Sequence, residues 1–267
     1  MTIKLDIQLD KKGKIPFNYN YALSSWLYRT LQLADRDLAS LLHECGLPFK
    51  GRTFKLMTFG PLDVRPYEID KKAGAIVPLG SEMSFELRFF LPSFAERFIA
   101  GLFQAREFGL RIRENSIEGR ISSVKVLNEP DFQGEMAYRT VQPICIGVRE
   151  PDKKHPQYLS PLDSKYGDLV VNNLISKFSA LLGAGVLGET DSDPTNISDP
   201  EAIGFKLDSD KVRSKLLTVK EGKREETRIR GYHCRFRLKA PSLFHRIAYY
   251  SGLGEKNSLG MGMIKVA

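Results

Sequence analysis

Apolar and polar residues alternate over 3–10 and again over 81–91, the period of half-buried strands. Between them the period lengthens. Tyr19, Leu23, Trp26, Leu27 and Leu31 recur at helical spacing over 19–33, and Leu38, Leu41, Leu42 and Cys45 mark a second helix that Asp35 opens and Gly46 closes. A helical hairpin is expected there, followed by a strand at 53–59 and a polar connection with prolines at 61, 66 and 78. Pro92 suits the first turn of a helix over 92–108, whose face carries Phe94, Phe98, Leu102 and Phe103. Strands at 110–114 and 117–127 complete the order β, α, β, β, α, β, the ferredoxin-like pattern.

Turn residues gather in LNEPDFQG at 127–134, and a similar order follows more loosely. The spacing predicts a strand over 136–148, a helix over 166–182, strands at 211–220 and 227–239, a short helix over 241–250 and a closing strand at 261–266. The acidic, proline-containing stretch at 189–204 reads as a loop. The expectation is an α+β protein of two tandem ferredoxin-like domains, residues 1–129 and 130–267.

Composition narrows the class. With 42% hydrophobic and 27% charged residues among 267, the chain is too apolar to be disordered. It contains no apolar run long enough for a spanning helix, and residues 1–10 read as a strand without a signal core. Three separated cysteines support neither a disulfide framework nor a zinc ribbon, which fits a reducing cytosol. The net charge of +8 sits in one place: residues 211–239 hold eleven basic and three acidic side chains, leaving 29 of each sign elsewhere. Lys211, Arg213 and Lys215 alternate with Val212, Ser214 and Leu216, so they share a strand face. In TRIRGYHCRFRLK, Arg235, Arg237 and Lys239 share one parity, while Arg228 and Arg230 fall on the other, so a bulge is expected at Gly231. The pair reads as a basic hairpin, either a nucleic-acid contact or a charged sheet edge that resists aggregation.

The C-terminal run GLGEKNSLGMG sets Gly252, Gly254, Gly260 and Gly262 in two pairs. Such a backbone can approach a phosphate or pack tightly against a neighbouring helix, and it matches neither a Walker loop nor a dinucleotide fingerprint. None of the four histidines has a partner at metal-ligand spacing, and the paired aspartates fall on a cap and in loops, which argues against a two-metal nuclease. RNA offers another route, because its 2′-OH can attack the adjacent phosphate if side chains move the protons and stabilise the charge. His43 is the best placed candidate, with Tyr28 on the preceding helix and Lys50, Arg52 and Lys55 just after it; a capping or half-buried role is the alternative. His233 lies in the basic strand and is a second RNA contact candidate. His245 is read as packing and His155 as loop.

Taken in order, PFNYNYALSSWLYRTL, LLHECG with FKLMTFGPL, MAYRTVQPICIG with YLSPLD, and GLGEKNSLGMG resemble the CRISPR-associated endoribonucleases that cut repeat RNA, the Cas family numbered six in the RAMP superfamily. The resemblance spans almost the whole chain. It implies metal-independent cleavage of precursor transcripts, with a 2′,3′-cyclic phosphate and a 5′-hydroxyl as products and no cofactor. It also implies CRISPR repeat RNA as partner, with effector-complex subunits or a second copy of the chain as further ones. The implied catalytic residues are His43, Tyr28 and Lys50. The RNA contacts are Arg52, Lys55, Lys211, Arg213, Lys215, Arg228, Arg230, His233, Arg235, Arg237, Gly252, Gly254, Lys256, Gly260 and Gly262. A RAMP-type RNA-binding subunit without cleavage is the alternative reading.

Overall fold

The computed structural model of the chain describes residues 1–11, 13–34, 46–112, 115–152, 155–187, 203–222 and 224–267. The predicted second helix at 35–45, with Asp35, His43 and Cys45, lies outside the described residues, as does most of the predicted loop at 189–204.

Strand β1 (Thr2–Lys11) turns Ile3, Leu5, Ile7 and Leu9 into the first core, as its alternation requires. Helix α1 (Asn20–Ala34) lays Leu23, Leu27 and Leu31 over that sheet and sets the Trp26 ring against Phe85, Phe98 and Phe108. The predicted strand 53–59 is two strands. β2 (Leu47–Phe49) and β3 (Arg52–Phe54) form a hairpin, and β4 (Met57–Phe59) joins the main sheet. Leu56 separates them with φ of 50°, and both Phe54 and Leu56 are buried in the core of the C-terminal half. β5 (Glu82–Phe89) pairs antiparallel with β1 so that Ile3 meets Leu87 and Leu5 meets Phe85. α2 (Pro92–Ala105) does bury Phe94, Phe98 and Leu102. Phe103 differs from expectation: it is 63% exposed, because the residue after Leu102 stands about 100° further round the helix. β6 (Glu107–Ile112) and β7 (Asn115–Leu127) complete a sheet whose order is β6-β7-β1-β5-β4. Apart from the added edge strand β6, the fourth strand of the βαββαβ unit lies beside the first, and the third separates the first from the second.

The second unit repeats this order. β8 (Glu135–Thr140), α3 (Tyr166–Gly183) and β9 (Gly204–Leu207) precede an inserted hairpin of β10 (Arg213–Val219) and β11 (Thr227–His233). β12 (Arg235–Lys239), α4 (Ser242–Ser251) and β13 (Ile264–Val266) then close it, giving the sheet β9-β12-β8-β13. The expected single strand over 227–239 is therefore divided. β11 runs through Gly231 in regular register with β10, without the expected bulge, and the chain changes partner at Cys234, after which Arg235 faces Arg139 of β8. The parity switch in the sequence records this change of sheet. Gly231 is needed for packing, since a Cβ there would stand 3.0 Å from the Met261 side chain and 3.1 Å from the Ile144 carbonyl. The expected strand over 136–148 is interrupted after Thr140: Ile144 and Cys145 make isolated bridges, to Tyr232 and Gly254, and Gly147–Val148 forms a separate short strand paired with Gln157–Tyr158. Among the described residues no helix is long and apolar enough to cross a membrane.

His233 ends β11 half-buried, its Nδ1 3.2 Å from the Thr140 hydroxyl. Burial, then the charges of Lys215 and Arg213, push its pKa from 6.5 down to about 4. Between those pH values the unfolded chain takes up a proton that the folded chain refuses, so stability is lost as pH falls through the window. The loss expected is roughly 2–3 kcal/mol. Urea titrations across that range should give a flatter profile for His233→Gln; an unchanged slope would assign the linkage to other groups.

Candidate active site

Where α1, the end of the inserted hairpin and the C-terminal glycine loop meet, a cavity of about 420 Å³ opens. One face of α1 lines it with Tyr21, Ser24, Ser25, Tyr28, Arg29 and Gln32. Positions 21, 25, 28 and 32 recur every three or four residues, so they form a stripe separate from the buried Leu23, Leu27 and Leu31. Lys55, Val219, Ser258 and Leu259 complete the wall. Thus the two halves of the chain contribute to one surface.

Lys55 arrives there because the strand breaks beside it. Phe54 and Leu56 on either side are buried in the second core, and Lys55 packs against Gly46, where a Cβ would stand 3.1 Å from its Cδ. Tyr28 is buried, and the Ser258 side chain stands beside its hydroxyl. Burial raises its pKa above the ordinary phenol value, an effect the neighbouring Ser258 hydroxyl partly opposes. At neutral pH Tyr28 is therefore a phenol that can donate a hydrogen bond, not a phenolate.

Ser258 is held by the glycine loop. Gly252, Gly254, Gly260 and Gly262 all have φ between 69° and 77°, the left-handed region that favours glycine. The loop also fastens the two halves together. A Cβ on Gly260 would stand 2.4 Å from the Phe59 ring, the Asn20 amide donates to the Leu259 carbonyl at 3.0 Å, and the Thr58 hydroxyl donates to the Met261 carbonyl at 3.1 Å. Of the two readings the sequence left open, tight packing describes the glycines, while Ser258 and Leu259 between them line the cavity. Arg88 adds a buried clasp, donating from β5 to the carbonyls of Tyr249 and Ile264.

The remaining predicted residues lie in several places. Lys50 is exposed in the turn between β2 and β3 with φ of 46°, over its neighbour Phe49, and does not line the cavity. Exposed Arg52 reaches Glu255 of the glycine loop at 3.9 Å, and Lys256 is exposed in that loop. On the inserted hairpin, Arg213 and Lys215 share a face with buried Leu217 and Ile229, whereas exposed Arg228 and Arg230 point to the other side. Lys211 precedes the hairpin and is exposed. Arg235 and Arg237 are not on the hairpin. They stand on the outer face of β12, where Arg237 pairs with Asp208 and Glu135. His245 is fully buried, with Nδ1 2.9 Å from the Tyr138 hydroxyl, and exposed His155 lies in a loop. His43 lies outside the described residues. Ser24, Ser25, Arg29, Gln32 and Ser258 are cavity residues that sequence reading missed. The polar stripe in step with Tyr28 was a signal for the helix residues, but nothing local pointed to Ser258. Among the described residues no group of three or more His, Cys, Asp or Glu side chains converges as a metal site.

Two βαββαβ units locked by a C-terminal glycine loop define a tandem ferredoxin-like protein. A solved RAMP protein binding different RNA substrates has this fold, with a TM-score of 0.77 at 23% identity over 100% of this chain and 99% of that one. The chain belongs to the Cas6 family of CRISPR-associated proteins: residues 14–119 match the family's N-terminal model and 127–266 its C-terminal model. The CRISPR-associated endoribonuclease Cas6 of Pyrococcus furiosus is 25% identical over 96% of this chain and 85% of its own length. CRISPR-associated endoribonuclease Cas6 1 of Methanocaldococcus jannaschii is also 25% identical, over 99% and 92%.

Proposed function

We propose that this chain is an endoribonuclease that cuts CRISPR repeat RNA in precursor transcripts without a metal ion. The reading rests on one observation above the others: the Tyr28–Ser258 pair shares a cavity with Arg29 and Lys55, at the junction of both halves and the glycine loop. In this reading the 2′-OH beside the scissile bond attacks phosphorus, and the 5′-oxygen of the next nucleotide leaves. The products are a 2′,3′-cyclic phosphate and a 5′-hydroxyl. Arg29 and Lys55 face the charge that grows on the phosphorane oxygens, where cations act most strongly. Tyr28 orients the reacting ribose or phosphate by hydrogen bonding. His43, three residues before Gly46, transfers the proton. Lys50, at the hairpin turn, and Arg228 and Arg230, on the inserted hairpin, contact phosphates further along the strand.

The described residues of the cavity wall are neutral or cationic. Incubating the purified chain with repeat-containing RNA in excess EDTA tests the proposal. Cleavage at one position, with a cyclic phosphate on the upstream fragment, is the expected result. Tight binding of RNA that stays intact with or without added divalent ions would favour an RNA-binding subunit without cleavage. Cutting that requires the divalent ion would overturn the metal-free route.

A further inference from the structure

A lysine sits deep in the second domain. Lys177, on α3, is 1% exposed, and its ammonium donates to the Gly252 carbonyl and, at 2.8 Å, to Asn257 Oδ1. Asn257 spans the glycine loop in turn: its amide nitrogen donates to the carbonyls of Leu253 and Met261, each at 3.0 Å. These carbonyls lie on the two limbs of the loop, whose crossing is also closed by the Leu253 N–H donating to the Gly262 carbonyl at 2.9 Å. An Asn side chain has one face that accepts and one that donates. The lysine occupies the accepting face, which leaves the donating face for the loop. The next residue is Ser258, which lines the cavity beside Tyr28.

We propose that Lys177 is a positioning residue for RNA cleavage, orienting Asn257 so that the loop presents Ser258 to Tyr28. The proposal rests on the reading of the Tyr28 cavity as the cleavage site. Burial lowers the lysine pKa from 10.5 to about 7, opposed only in part by Glu255, so this lysine carries a desolvation cost that an apolar side chain of similar size would avoid. The bonds it makes end on the loop rather than on its own helix. Its effect should therefore appear in the cleavage step more than in RNA grip, because the exposed cations of the hairpin remain in place.

Lys177→Met and Asn257→Ala are to be compared with Ser258→Ala and Tyr28→Phe by thermal unfolding, equilibrium binding of repeat RNA and single-turnover cleavage. The first two variants should bind RNA within about 3-fold of the parent and cut at least roughly 10-fold more slowly. Adding Ser258→Ala to Lys177→Met should slow cleavage little further, since residues acting through one contact are not additive. An unchanged rate, a parallel loss of binding and cutting, or fully additive rate effects would overturn the proposal. If Lys177→Met does not fold, Asn257→Ala, a substitution in the loop, decides by the same criteria. Slow cutting by Tyr28→Phe with normal cutting by Lys177→Met would overturn only the positioning role. Normal cutting by Tyr28→Phe would overturn the cavity reading and this proposal with it.

Discussion

His43→Ala is expected to lower the single-turnover rate of repeat-RNA cleavage in EDTA by on the order of 10²-fold or more, the usual contribution of a general acid or base. The reason comes from what surrounds Tyr28. Transesterification moves one proton off the 2′-OH and another onto the leaving oxygen. A group that titrates near neutrality does this best, and histidine is such a group. Tyr28 is held above the ordinary phenol range by burial, so it stays protonated. The other described residues of the cavity are serines, glutamine, a second tyrosine, cations and apolar side chains. Among the described residues no histidine lines it: His233 and His245 are built into the second domain and His155 lies in a loop. The chain's fourth histidine is His43. Binding of the RNA should change little, because the variant removes no cation. A rate within about 3-fold of the parent would transfer the proton steps to another group and overturn this assignment.

Gly262→Ala is expected to destabilise the protein by on the order of 3 kcal/mol or more and to abolish measurable cleavage. A Cβ at this position would stand 1.9 Å from the Leu253 carbonyl oxygen and 2.7 Å from the Asn257 amide nitrogen, with φ at 75°. The left-handed backbone alone costs a residue other than glycine about 1–2 kcal/mol. The clash adds to it, because its partner is backbone that is itself hydrogen-bonded across the loop. Relief requires the loop to open, which releases Asn257 and moves Ser258 away from Tyr28. The melting temperature should fall by roughly 10 °C. Gly222→Ala separates the two contributions: its φ is also 75°, but nothing lies within 4 Å of the added carbon. That variant should lose about 1 kcal/mol and keep its activity. Equal losses in both would mean that backbone strain, rather than the crossing of the loop, is what Gly262 relieves.

Much of the architecture was legible because it depends on local periodicity. The alternation in Ile3, Leu5, Ile7 and Leu9, the spacing of Leu23, Leu27 and Leu31, and the position of Pro92 place strands and helices without reference to the rest of the chain. Two such sets in the order βαββαβ imply the tandem fold. The errors occurred where a distant partner overrode local pattern. The 53–59 segment reads as one strand but breaks at Leu56, because Phe54 and Leu56 are drawn into the core of the other half. The 227–239 segment reads as one basic strand, yet it changes sheets at Cys234, which removes Arg235 and Arg237 from the hairpin and gives Arg237 acidic neighbours.

The candidate site divides in the same way. By itself the sequence determined that the chain folds into two ferredoxin-like units, that its excess positive charge lies within residues 211–239, and that Tyr28 and the four loop glycines were residues to examine. Periodicity, charge and glycine spacing are local properties, and a linear chain displays them. Only the tertiary structure decided that Lys55 rather than Lys50 lines the cavity with Tyr28, that Ser258 stands beside it from across the chain, and that Lys177 is hydrogen-bonded to the loop that carries Ser258. These contacts join residues far apart in sequence, and they form only when the two cores close on each other and bring the glycine loop against α1.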